Sequence, residues 1–115
     1  KPTLDDIGFI QQTTLYERLG GVVIDSSDIR QNPEKSLRSL CSAIDLSFDS
    51  AMLSWPPGPR PEDGVWAAHW YGAVHRSTGF AGAEGPLPQI ETAQIPLLEK
   101  ALPHYERMAA RALKP

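Results

Sequence analysis

Residues 63–80, DGVWAAHWYGAVHRSTGF, gather most of the side chains in this sequence that could do chemistry. They hold two of the three tryptophans, two of the three histidines and the run Arg76-Ser77-Thr78-Gly79. A guanidinium, two hydroxyls and a glycine backbone in four positions suit an anion such as phosphate or sulfate, because a guanidinium donates paired hydrogen bonds to such oxygens. The same four residues also read as a helix C-terminus closed by Gly79, with Arg76 set against the helix dipole. If 65–74 is helical, His69, Tyr71 and His75 offer the wall of a small-molecule pocket, with Tyr71 and His75 on one face. Trp66 and Trp70 then fall one turn apart. Rings that each remove about 150 to 250 Å² of surface from water are expected to be mostly buried in a small domain.

Other chemistries find less support. Asp63, His69 and His75 could supply metal ligands, but a five-residue gap between the histidines is not a zinc spacing and no cysteine lies near, so no metal is expected. No nucleophile stands at a spacing that pairs it with either histidine as a general base. Ser26, Ser27 and Ser54 lack the glycine elbow of a hydrolase nucleophile. The acidic residues of DSSDI read as turn and cap residues.

The whole chain bounds these readings. Its 115 residues suffice for one domain with a modest core, and the expected organisation is a single domain over 1–115 with internal loops at 56–64 and 81–89. A formal net charge of -3, with no basic stripe, argues against nucleic acid held through phosphate contacts. No apolar run approaches the roughly 18 residues that cross a bilayer, and no charged-then-apolar leader opens the sequence, so no membrane partner and a cytoplasmic location are expected. The single cysteine, Cys41, excludes an internal disulfide framework and reads as a core residue. A start at Lys1 without methionine fits a processed or partial product.

The elements that must position the chemistry follow from periodicity and punctuation. Thr3-Leu4-Asp5-Asp6 resembles a capping box, and Ile7, Ile10, Leu15 and Leu19 continue it as a helix over about 3–19, stopped by Gly20-Gly21. Val22, Val23 and Ile24 make a β-branched run long enough for a buried strand. Asn32 before Pro33 is an N-cap with proline at the first helical position, and Leu37, Leu40, Cys41 and Ile44 continue a helix over 33–45. A short helical turn is expected around Met52 and Leu53. PPGPRPEDG is a loop, because its prolines lack the N–H that regular structure needs. A long C-terminal helix is expected over 91–112, kinked or restarted near Leu102 by Pro103. The fold class is therefore mainly α with one short strand.

Two stretches carry a family resemblance. VVIDSSDIRQNPEKSLRSLCSAIDLSFD resembles the later part of P-loop sulfotransferases: a strand at 22–24, Asp28-Ile29, Asn32-Pro33-Glu34, a leucine-rich helix over 37–44, and an exit at Leu46-Ser47-Phe48. MLSWPPGPRPEDGVWAAHWYGAVHRSTGF resembles a bacterial and plant branch of sulfotransferase-like proteins, some of them beside or fused to a branched-chain aminotransferase-like domain. The resemblance implies the C-terminal fragment of an α/β P-loop fold. It also implies 3'-phosphoadenosine 5'-phosphosulfate as cofactor of a full-length relative. Within RPEDGVW, Arg60, Gly64 and Trp66 look like the family's loop that reaches the nucleotide 3' phosphate, although the arginine stands far from the glycine.

One family hallmark is missing. LGGVV and FAGAEG contain no Gly-Lys-Ser/Thr between a strand and a helix, so no cradle for the donor's 5' phosphate is expected in this chain. No catalytic residue is assigned. The expectation is a C-terminal portion of a sulfotransferase-like transferase, contributing nucleotide and acceptor contacts but inactive alone. The competing reading is a non-catalytic helical module that binds a small ligand or a protein. A strand at 22–24 whose sheet partners lie elsewhere also predicts an exposed edge, relieved by pairing with a second copy as a homodimer or by loss of strand geometry under covering helices.

Overall fold

The computed structural model describes residues 1–115, and the chain is mostly helical with almost no strand. Helix α1, Phe9–Leu19, follows a single 3-10 turn at Asp5–Ile7. Only half of the expected capping box forms: the Asp6 carboxylate accepts from the Thr3 backbone N–H at 2.8 Å and from the Thr3 hydroxyl at 2.7 Å, but Leu4 stands at the N-cap with no side-chain cap. The continuous helix expected from residue 3 is nevertheless divided. Gly8 sits at φ 71, a left-handed conformation that breaks the helical path and lets α1 begin afresh at Phe9. Gly20 ends α1 with its N–H bonded to the Tyr16 carbonyl at 2.7 Å.

The expected strand at 22–24 shrinks to one bridge, in which Val23 lies parallel to Ala112 and accepts from the Leu113 N–H at 2.9 Å. Helix α2, Ser26–Gln31, follows directly. The Asp25 carboxylate caps it by accepting from the Ser27 N–H at 2.9 Å, which gives the DSSDI acids the capping part expected of them. Helix α3, Pro33–Ala43, starts from Asn32, whose side chain accepts from the Lys35 N–H, and stops before Asp45 turns left-handed at φ 58. Between α2 and α3, the fully buried Ser36 hydroxyl donates to the Asp28 carbonyl at 2.9 Å. Cys41 is buried as expected.

Helix α4, Ala67–Trp70, and helix α5, Gly72–Arg76, replace the single helix expected over 65–74, because Tyr71 leaves helical geometry between them. Residues 81–89 form no regular element, and 56–64 contain only the 3-10 turn Pro61–Asp63. Helix α6, Ile95–Ala109, runs through Pro103 without the restart expected there. Pro103 and Glu99, whose carbonyl loses its partner to the proline, are both exposed residues. Helices α1 and α6 pack together through Thr13 and Ala101, and Arg107 reaches Glu17 at 2.6 Å across the pair. No helix is long and apolar enough to cross a membrane.

Candidate functional site

The site is built on two loops and a short helix. After α3, Asp49 caps a 3-10 turn at Ser50–Leu53, and the chain emerges extended at Ser54. Ser54 pairs antiparallel with Gly79, and the Trp55 N–H donates to the Thr78 carbonyl at 3.0 Å. The Trp55 indole N–H donates to the Ser77 hydroxyl at 2.9 Å, and that hydroxyl donates onward to the Val74 carbonyl at 2.6 Å. Trp55 also meets the Phe80 ring edge-on at 5.5 Å. Residues 77–80 are thus fastened from both sides, and at Gly79 a Cβ would stand 3.2 Å from the Leu53 carbonyl oxygen, a tight contact.

The neighbouring loop is tied to α5. The Gly58 N–H donates to the His75 carbonyl at 2.7 Å. Asp63 Oδ2 accepts the Arg60 N–H at 2.9 Å and lies 2.9 Å from His75 Nε2. An ionised carboxylate only accepts, so His75 must carry its proton on Nε2 toward Asp63. These bonds hold the Asp63 carboxyl below the usual carboxylate range, the Arg60 backbone N–H contributing most and His75 next. Tyr71 lies edge-on to the His75 ring at 6.1 Å.

Each residue singled out from the sequence can now be placed. Arg76 is the last residue of α5, exposed, without ion pair or side-chain hydrogen bond, its guanidinium lying over Gly72. Ser77 caps α5 in extended geometry, so the helix ends three residues before Gly79 and Gly79 does not close it. Thr78 is exposed, and Arg60 is exposed at the head of the Pro61–Asp63 turn. Tyr71 and His75 come together as their spacing requires. His69 does not join them: it is exposed on α4, 6.3 Å from the Trp66 ring.

Trp66 and Trp70 overturn their expectation, being 70% and 77% exposed. Their spacing does put them on one side, but α4 has only four residues and docks through the small Ala67, leaving the tryptophan side in solvent. The residues that sequence reasoning missed are Trp55 and, as a partner for His75, Asp63. Their contacts span 22 and 12 positions, beyond any helical or strand period. No group of three or more His, Cys, Asp or Glu could hold a metal.

A cleft of about 340 Å³ brings the start of α3 (Asn32, Pro33, Glu34) against Leu53, Gly79 and Phe80. The asparagine-proline-glutamate stretch therefore faces Gly79 and Phe80, far away in the chain. The sulfotransferase domain model matches residues 2–112. The chain belongs to the sulfotransferase domain family. Two relatives from Arabidopsis thaliana are similar to this sulfotransferase-family chain. Branched-chain-amino-acid aminotransferase-like protein 1 is 37% identical over 109 residues, which are 90% of this chain and 20% of the relative. Branched-chain-amino-acid aminotransferase-like protein 2 is 41% identical over 83 residues, 72% of this chain and 15% of the relative. The chain therefore spans a fifth or less of the curated relatives it matches. No solved structure matches it.

Proposed function

We propose that this sulfotransferase-family chain is the C-terminal portion of a sulfotransferase-like transferase, where it supplies nucleotide 3'-phosphate and acceptor contacts. The observation that carries the reading is Arg76, a guanidinium with no carboxylate partner on a backbone held in place at Ser77 and Thr78. Desolvated or exposed, a free guanidinium beside a fixed backbone is suited to a phosphate dianion. Ser77 is the weaker member of the predicted set, because its hydroxyl is already engaged with Trp55 and Val74. Arg76, Thr78 and Gly79, with Arg60 on the neighbouring loop, are left to meet the anion. His75 and Tyr71, edge-on to each other, are assigned the acceptor contacts.

These residues fit the phosphate of 3'-phosphoadenosine 5'-phosphosulfate but offer no cradle for its 5' side, since no Gly-Lys-Ser/Thr loop joins a strand to a helix. When bound, the donor brings the sulfuryl group; the residues here bind and orient. The 115 residues alone are expected to show no turnover of that donor, and detectable turnover would refute the assignment. Calorimetry with 3'-phosphoadenosine 5'-phosphate tests binding directly. Arg76→Ala is expected to leave the melting temperature nearly unchanged while removing any rise that the nucleotide or phosphate produces. Unfolding of that variant would make Arg76 structural and end the anion reading.

A second reading, a helical module that binds a partner, is favoured by the exposed tryptophans of α4. It expects no response to the nucleotide. The cytoplasm suits the buried thiol of Cys41, and pairing of two copies along 22–24 would extend the lone Val23 bridge. A monomer at all concentrations in sedimentation velocity would exclude that pairing.

A further inference from the structure

We infer that Asp63 and His75 are positioning residues for the anion site: they fasten the proline-rich loop carrying Arg60 to the helix carrying Arg76, and so set the spacing of the two guanidiniums. The inference rests on the anion-site reading above. It begins from one atom, because Asp63 Oδ2 takes both the Arg60 N–H and the His75 Nε2–H, each at 2.9 Å. Arg60 is thereby held through its own backbone to the residue that precedes Arg76.

A second tie acts from the other side of His75. Its carbonyl accepts the Gly58 N–H at 2.7 Å, so one residue of α5 grips the loop at Gly58 by its backbone and at Asp63 by its ring. Both partners of the ring contact are half-buried, His75 at 18% and Asp63 at 25% side-chain exposure. Loop 56–64 has little else to hold it. Six of its nine residues are proline or glycine, and only Pro61–Asp63 form a regular turn. Neither guanidinium takes part in an ion pair, the charge of Arg60 reaching Asp63 only at longer range, so their separation depends on the segments that carry them.

The test combines two readouts on the full chain: amide hydrogen exchange at Gly58 and Arg60, and calorimetric affinity for 3'-phosphoadenosine 5'-phosphate. Asp63→Ala is expected to speed exchange at both amides and weaken nucleotide binding, each by about tenfold, the size of one lost charge-assisted hydrogen bond. Asp63→Asn keeps an oxygen able to accept from both donors and is expected to restore both readouts to within about threefold. His75→Phe keeps a ring against Tyr71 while removing the donor, and serves where Asp63→Ala unfolds. Unchanged exchange in Asp63→Ala would overturn the tie. Faster exchange with unchanged affinity would overturn the positioning role. Absence of nucleotide binding by the unmodified chain would instead refute the anion reading, and with it any positioning role, whatever the amides show.

Discussion

The two ends of residues 63–80 sit in opposite surroundings. Around α4 the large apolar side chains Val65, Trp66 and Trp70 stand in solvent, while at the far end the small polar Ser77 and the imidazole of His75 are half-buried and hydrogen-bonded. The difference lies in what each end has to pack against. A four-residue helix offers one contact, which Ala67 takes. The 75–80 end has the Ser54-Trp55 strand on one side and the proline loop on the other, and every polar group turned inward there finds a partner. Order in this stretch follows hydrogen bonding to distant segments more than side-chain size.

The comparison can be broken by substitution, most forcefully at Trp55. Trp55→Ala removes the ring on Phe80 and the indole donor together, and is expected to cost about 3 kcal/mol in chemical unfolding; a cost near zero would mean that the anchored end is held by something else. Ser77→Ala sharpens the point, because it leaves the indole N–H without its acceptor, with an expected cost of about 1 kcal/mol in the same assay. An acid titration isolates Asp63. Its carboxyl is held below its ordinary value, so its contribution is present above the unfolded pKa of 3.8 and is lost as pH falls through the lower folded value. The stability gap between the unmodified chain and Asp63→Asn should therefore shrink as pH falls below 3.8, and a gap that stays constant there would contradict the bonds described. At the solvent end, Trp66→Ser and Trp70→Ser should each change stability by less than about 0.5 kcal/mol. A loss of several kcal/mol from either would show that α4 buries its tryptophans in solution.

Much of the fold was readable from local signals. Asn32-Pro33 marks the start of α3 because its side chain and its missing N–H both act within one turn, and Gly20 marks the end of α1 in the same way. Helix α2 was hidden. Five polar residues around a single Ile29 carry no apolar period, although Asp25 ahead of two serines is a capping signal. The division of α1 rests on the left-handed Gly8, and α6 continues through Pro103; apolar spacing encodes neither. In the site, Arg76 to Gly79 were identifiable by type. The ties that hold them, Trp55 to Ser77 and Asp63 to His75, were not, because each joins residues whose only relation is in space. The side on which α4 docks was undetermined for the same reason.

The ion pair between Glu17 and Arg107, the bond between Tyr105 and Asp25, and the Val23 bridge all join α1 and its sequel to residues some 80 to 90 positions later. The ties around α3 and α5 close over far shorter spans. On a ribosome adding about 5 to 20 residues per second, α1 therefore emerges roughly 4 to 18 seconds before the helix that covers it. The middle of the chain can assemble in that interval, while α1 waits uncovered until translation delivers its partner.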